Sequence, residues 1–224
     1  MVAAAIAKSG VPRSEIFITT KVAVANLGHD RFLPSVEESL KRLGTDRVDL
    51  LLVHWPVPDD ASTFESYMCD LALAKARGMA RLIGVSNFTI AHLTRAEPLI
   101  GPGEIVTNQV EAHPYLQNGR LRQFADAHGL SLTAYLPVAR GAILDDPVLK
   151  AIATRHGATP AQISLAFLLA EGFVVIPSSS SPARIEENFT ARQMTLTKDD
   201  IARIRGLDRG KRFVNPAHAP AWDA

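Results

Sequence analysis

The sequence predicts an α/β protein in which short buried strands alternate with helices. Six apolar segments rich in β-branched residues recur, each bounded by turn-forming residues: Ile16–Lys21, Val48–His54, Leu82–Asn87, Ile105–Glu111, Ser131–Pro137 and Phe173–Pro177. Most are continuous apolar runs, as expected for parallel strands buried on both faces. Such alternation fits either an open doubly wound sheet or a (β/α) barrel. The absence of a G-x-G-x-x-G turn disfavours the open dinucleotide-binding sheet.

Helical patterns separate these segments. Within 32–43 the apolar residues lie at helical spacing, and Gly44 provides a left-handed stop. Asp146 is a predicted helix N-cap, and Thr159 is predicted to begin a capping box. Two further helices are predicted to begin at Ser181 and Thr197. Because no Pro-, Gly- or Ser-rich linker divides the chain, we expect one domain over 1–224, ending in a tail over 208–224.

Composition excludes several classes of protein. The 24 basic and 23 acidic residues give a net charge of +1, without the one-sided basic surface of a nucleic-acid binder. No apolar run is long enough to span a bilayer. A single cysteine, Cys69, allows no internal disulfide and no cysteine cluster for a metal, and is expected to be buried in its helix. We therefore expect a cytoplasmic protein with no metal, membrane or nucleic-acid partner.

Polar residues stand at the carboxyl ends of all six predicted strands. They are Lys21, His54, Ser86 with Asn87, Asn108 to Glu111, Tyr135 and Ser178–Ser181. Each alone could be a solvated tip or a structural residue, but barrels place their active sites at this end of the strands. The barrel is therefore favoured, with a polar pocket at its mouth. Lysine and histidine in one pocket suit carbonyl polarisation and proton transfer, and no G-x-S-x-G or H-E-x-x-H motif offers other chemistry.

The serine run after the last predicted strand indicates an anion site. Pro182 opens a helix there and Arg184 lies in its first turn. The amides and dipole of a helix N-terminus favour a phosphate, and an arginine can add a bidentate contact. A serine-rich loop with a surface arginine is the alternative.

At these residues the chain resembles the aldo-keto reductase family over nearly its whole length. The motifs are SGVPR at 9–13, ITTK at 18–21, ESLKRL at 38–43, VHWP at 53–56, IGVSNF at 83–88, NQVE at 108–111, HPYLQ at 113–117 and IPSS at 176–179, continuing through Arg184 to Glu187 and Asn188. Among members it is similar in particular to bacterial 2,5-diketo-gluconate reductases of the B type. The resemblance implies a (β/α)8 TIM barrel whose first two strands are missing from these 224 residues.

The resemblance also implies roles for individual residues in hydride transfer from NADPH to an aldehyde or ketone. Of the family's Asp–Tyr–Lys–His tetrad, Lys21 matches the lysine and His54 matches the histidine that orients the carbonyl. The residues that match cofactor contacts are Ser86, Asn87 and Gln109 at the nicotinamide carboxamide, Tyr135 stacked on the nicotinamide, and Ser179, Arg184, Glu187 and Asn188 at the 2′-phosphate and adenine.

Three departures from the family pattern qualify these roles. Ser178 replaces a frequent lysine near the 2′-phosphate, and Leu136 replaces a frequent serine after the stacking tyrosine. The tetrad's aspartate and tyrosine have no counterpart, because the first residues match the helix after the second barrel strand. Tyr67 and Tyr115 do not match the tyrosine's motif. We therefore expect a chain shortened at its N-terminus and impaired in turnover.

Substrate choice is only outlined by the sequence. Trp55 and Trp222, the latter in the 208–224 tail near the substrate mouth, are expected pocket walls for a small carbonyl compound such as a diketo-gluconate or a methylglyoxal-like molecule. The alternative function is a non-catalytic NADPH-binding relic with a regulatory or interaction role. Family members are often monomeric, but an open barrel edge would favour self-association.

Overall fold

The computed structural model describes residues 2–57 and 61–223, so Met1 and Ala224, the ends of the predicted domain, lie outside the described residues. Its six strands are parallel and hydrogen-bond in chain order, which confirms the predicted α/β class. They are β1 (Thr19–Val22), β2 (Val48–Val53), β3 (Ala80–Ser86), β4 (Ile105–Glu111), β5 (Ser131–Tyr135) and β6 (Val174–Val175).

Nine α-helices occur within the described ranges. They are α1 (Val2–Ser9), α2 (His29–Leu43), α3 (Ala61–Ala76), α4 (Ile90–Ile100), α5 (Gly119–His128), α6 (Pro147–His156), α7 (Pro160–Ala170), α8 (Pro182–Thr190) and α9 (Lys198–Arg205). None of these helices is long and apolar enough to cross a membrane. The chain divides into two compact units: unit 1 runs to Asn108 and includes His218–Trp222, and unit 2 comprises 109–217 with Asp223. The single-domain organisation stays a prediction.

Unit 1 is built on the parallel ladder of β1, β2 and β3. Val22 pairs with Val53, and Val53 pairs with Val85. Because these strands are covered on both faces, Leu51 and Ile83 are fully buried. Helix α2 turns its apolar side, Phe32, Val36 and Leu40, inward and ends at Gly44, whose φ of 68° is left-handed as predicted.

Unit 2 is packed around α7 and around the pair of β5 and β6. Thr133 pairs with Val174, and the middle of α7, from Ile163 to Leu168, is buried on every side. Both predicted N-caps are present. Asp146 accepts the amides of Val148 and Leu149, and Thr159 forms a capping box with Gln162. These caps satisfy helix-end donors that would otherwise lack partners.

Two expectations require correction. Cys69 is exposed rather than buried, because the inward side of α3 is taken by Phe64, Tyr67 and Met68. The first strand also begins at Thr19 rather than Ile16. A short 3₁₀ turn over Arg13–Glu15 precedes it, and the Asp49 carboxylate accepts the Ile18 amide in place of a strand partner.

The centre of β3 tolerates no side chain at Gly84. A Cβ there would lie 2.7 Å from the Thr107 carbonyl oxygen and 2.8 Å from Leu52 Cδ2. We expect Gly84→Ala to lower the free energy of unfolding by about 1–3 kcal/mol, the usual cost of overpacking, as measured by urea denaturation. Gly119→Ala, with nothing within 4 Å, is the matched control. Equal midpoints for the two variants would contradict this close packing.

Candidate active site

In unit 1, the parallel register brings predicted site residues to one edge of the sheet. Val22, Val53 and Val85 are paired across the three strands. Lys21, His54 and Ser86 are each one residue away from these paired valines, so all three lie near the same edge of the sheet. The His54 amide donates to the Val22 carbonyl at 3.0 Å, which fixes the backbone where β2 ends. The carboxyl ends of parallel strands are the usual place for an active site.

Asn87 links two of these strand ends. Its backbone is left-handed, with φ of 63°, a conformation that asparagine tolerates better than most residues. Its Nδ2 donates to the His54 carbonyl at 3.0 Å and to Ser86 Oγ at 3.1 Å. Ser86 and Asn87, the predicted carboxamide ligands, are both buried. Asn87 therefore also helps to hold the His54 backbone in place.

The ionisable groups at this edge are shifted toward their neutral forms. Burial lowers the pKa of Lys21. Burial also lowers the pKa of His54, and the nearby charges of Lys21 and His218 lower it further. A neutral imidazole can donate one hydrogen bond to a carbonyl oxygen without carrying a full charge.

The C-terminal residues of unit 1 pack on the predicted pocket wall. Trp55 makes edge contacts with Trp222, at 5.9 Å between ring centroids, and with His218, at 5.4 Å. The two predicted wall residues are thus in contact. His218 was not predicted, because a single histidine in a tail rich in proline and alanine carries no motif.

In unit 2, Gln109 and Tyr135 lie on strands and Glu111 anchors the tail. Gln109 is buried in β4, and Tyr135, at the end of β5, has its pKa raised by burial and by the Glu111 charge. Burial alone would raise the pKa of Glu111. Hydrogen bonds from His113 and from the amides of Phe213 and Val214 outweigh burial, so the pKa of Glu111 lies below its ordinary value. The two amides lie 2.7 and 2.8 Å from the carboxylate.

The predicted anion site is a cleft of about 680 Å³ in unit 2 at the start of α8. We call it the α8 cleft; its lining includes Ser178–Ser180, Arg184, Glu187, Asn188 and Arg140. Ser181 caps α8 by accepting the Arg184 amide, so the positive end of the helix dipole lies at this cleft. Ser179, Arg184, Glu187 and Asn188 therefore line one cleft, and their contacts with the cofactor stay a prediction. Arg140 was missed, since a lone arginine in a loop gives no signal.

Other candidate groups are accounted for by the structure. Tyr67 is buried in α3 against Phe64, and the Tyr115 hydroxyl donates to Asp146 at 2.8 Å. Both tyrosines therefore have structural positions. Across residues 2–57 and 61–223, no group of three or more His, Cys, Asp or Glu side chains is arranged to hold a metal ion.

A parallel α/β protein with lysine and histidine at adjacent strand ends, and with a cleft lined by arginine and serine at a helix N-terminus, has the features of a cofactor-dependent oxidoreductase. Residues 1–209 match the aldo/keto reductase family, and the chain belongs to that family.

The relatives and structural neighbours agree with this family. The chain is 47% identical over 220 residues to methylglyoxal reductase DkgB of Salmonella typhi, covering 98% of this chain and 82% of the relative. An aldo-keto reductase of Mycolicibacterium vanbaalenii is 43% identical over 211 residues, and the match covers 93% of this chain and 74% of that relative. A crystal structure proposed to be a 2,5-diketo-D-gluconic acid reductase B superposes with a TM-score of 0.94 at 43% identity, covering 100% of this chain and 79% of that one.

A structure of a Gox0644 variant in complex with NADPH superposes with a TM-score of 0.88 at 34% identity. The match covers 95% of this chain and 77% of that one. The fold is therefore that of these proteins, consistent with the predicted (β/α)8 barrel, with six of its strands among the described residues.

The pKa of His54 should respond to Lys21. We expect Lys21→Met to raise the pKa of His54, although burial and His218 should keep it below the ordinary value of about 6.5. The unfolded histidine binds a proton near pH 6.5, whereas folded His54 binds one only at lower pH. The free energy of unfolding should therefore fall as pH drops below about 6.5, and fall less in the variant.

NMR titration of the imidazole signals measures this change directly. Lys41→Met, on the exposed side of α2, is the control that removes the same charge. An unchanged His54 pKa in Lys21→Met, or an equal rise in both variants, would show that Lys21 does not act on His54.

Proposed function

We propose that this chain binds NADPH and takes part in the reduction of small aldehydes and ketones. The observation that carries the proposal is the placement of Lys21 and His54 at neighbouring carboxyl strand ends, with both pKa values lowered. When bound, NADPH supplies a hydride to the carbonyl carbon, and a proton must reach the carbonyl oxygen. Neutral His54 donates a hydrogen bond to that oxygen and polarises the carbonyl group.

The cofactor assignment is supported by the chemistry of each unit. In unit 2, the α8 cleft joins a helix N-terminus, serine side chains and Arg184, a combination that suits a phosphate group. In unit 1, the buried amide and hydroxyl of Asn87 and Ser86 suit a carboxamide. In unit 2, Gln109 and Tyr135 match, by resemblance, family residues that contact the nicotinamide. The Gox0644 variant bound to NADPH supports the same choice of cofactor.

The substrate class is drawn from the relatives and the wall residues. Relatives named methylglyoxal reductase and 2,5-diketo-D-gluconic acid reductase B suggest α-dicarbonyl and keto-sugar substrates. Trp55, Trp222 and His218 offer an apolar wall with one polar group for a molecule of that size. We propose the cytoplasm as its location.

A second function is NADPH binding without efficient turnover. By resemblance, a tyrosine protonates the developing alkoxide and an aspartate pairs with the lysine, and neither has a counterpart in the 224 residues. Lys21 forms no ion pair within the described part of the chain, which favours this reading. We therefore propose that the 224 residues, produced alone, bind NADPH but reduce carbonyl compounds slowly.

Arg184 should set the preference for NADPH over NADH. We expect the parent chain to bind NADPH more tightly, and Arg184→Ala to weaken NADPH binding about tenfold while changing NADH binding little, because a charged hydrogen bond to the 2′-phosphate is lost. Fluorescence titration with both cofactors measures this. Arg203→Ala, an exposed arginine on α9, is the control. Equal parent affinities for the two cofactors would contradict the assignment.

Turnover should depend on Lys21, on His54 and on the proton-donating tyrosine that an added N-terminal segment would supply. We expect a chain extended by the N-terminal segment of the Salmonella typhi relative to reduce methylglyoxal at least 10²-fold faster than the 224 residues alone, in line with about 10²–10⁴-fold for general acid catalysis. In the extended chain, Lys21→Met and His54→Ala should each lower kcat about 10²-fold or more with NADPH affinity retained.

NADPH oxidation and cofactor titration separate these effects, with Lys41→Met as the control. Size-exclusion chromatography of both forms tests self-association, since Phe17 before β1 and Val174 in β6 are each more than half exposed. A monomeric 224-residue chain with near-equal turnover would contradict the proposed impairment, and retained turnover in His54→Ala would contradict its role.

A further inference from the structure

The α8 cleft is lined by two arginines from different elements. Arg184 lies in the first turn of α8, and Arg140 lies in the loop that follows β5. Both are exposed, and neither forms an ion pair with another described residue. Glu187 also lines the cleft, but its Oε1 accepts the Thr159 hydroxyl at 2.5 Å. Two like charges at one cleft repel each other, so a multivalent anion between them is the complementary ligand.

The loop that carries Arg140 is fixed in an unusual backbone conformation. Leu136, Ala139 and Arg140 have φ of 51°, 49° and 53°, all in the left-handed region that such residues rarely adopt. Short backbone bonds hold the loop, from the Ala139 amide to the Leu136 carbonyl at 2.8 Å and from the Gly141 amide to the Val138 carbonyl at 2.7 Å.

The same loop is tied to the core of unit 2. Buried Ser164 on α7 donates its hydroxyl to the Pro137 carbonyl at 2.6 Å. The Arg140 backbone is therefore held in one place beside the cleft. A loop whose backbone is held in advance loses less backbone entropy when one of its side chains binds a ligand.

Ser178, the first residue of the serine run, also lines the α8 cleft and carries no charge. By resemblance a lysine is frequent at this position, and a serine there can donate one neutral hydrogen bond only. We propose that Arg140 supplies the second cation that binds the 2′-phosphate of NADPH, together with Arg184. This inference rests on the proposed function, since it takes NADPH as the ligand of the cleft.

The test compares charge-removing and charge-keeping variants of the 224-residue chain. Arg140→Gln removes the cation, Arg140→Lys keeps it, and Arg203→Gln removes a matched exposed arginine that does not line the cleft. Each protein is titrated with NADPH, NADH and 2′,5′-ADP. We expect Arg140→Gln to weaken NADPH and 2′,5′-ADP binding about tenfold, as for loss of a charged hydrogen bond, and to leave NADH binding within about twofold. Arg140→Lys should retain most of the affinity.

Restoring the charge elsewhere gives a second and independent readout. Ser178→Lys, introduced into Arg140→Gln, should recover most of the lost NADPH and 2′,5′-ADP affinity, because it returns one cation to the same cleft. Thermal unfolding of each variant checks that the fold is kept. The salt dependence of NADPH binding should fall in Arg140→Gln and return in the double variant.

The outcomes separate this inference from the proposed function. A parent chain that binds none of the three ligands overturns both proposals. A parent that binds NADPH with unchanged affinity in Arg140→Gln overturns the role of Arg140 alone. An equal loss for NADPH and NADH places Arg140 at a phosphate shared by the two cofactors and overturns its assignment to the 2′-phosphate.

Discussion

The parallel register of β1, β2 and β3 is the constraint on which the chemistry of unit 1 depends. A shift of one residue would turn every side chain of a strand to the other face. With Val22, Val53 and Val85 level, the residues next to them meet at one edge of the sheet. Buried apolar side chains such as Leu51 and Ile83 hold that register, so the packing of the core positions the polar residues at the strand ends.

Burial acts on the ionisable groups in different ways according to the donors around them. Glu111 is fully buried but receives two backbone amides and His113, so its pKa is lowered and it remains an anion. Lys21 and His54 have no comparable set of compensating charges, so burial lowers both pKa values toward the neutral forms. The hydrogen bonds to Glu111 therefore keep its charge and hold the tail, whereas Lys21 and His54, without such partners, are shifted toward their neutral forms at the sheet edge.

The sequence predicts local features well because their causes are local. Gly44 as a left-handed stop and Asp146 and Thr159 as caps follow from side chains within a few residues, and each was confirmed. Cys69 was placed wrongly because the side that a helix buries depends on its neighbours. His218 and Arg140 escaped prediction because only folding brings a tail or loop residue beside a site, and neither belongs to a spaced motif.

The two units use different kinds of polar group, and the difference fits the tasks proposed for them. Arginine keeps its charge at any physiological pH, so the exposed Arg140 and Arg184 provide a constant attraction for an anion. Lysine and histidine lose a proton more readily when buried, and in unit 1 the partial burial of Lys21 and His54 lowers both pKa values. Anion binding needs charge that does not change during a reaction cycle. The proposed carbonyl reduction needs a hydrogen-bond donor at the oxygen where negative charge develops, and a neutral imidazole such as that of His54 can donate this bond without carrying a full charge.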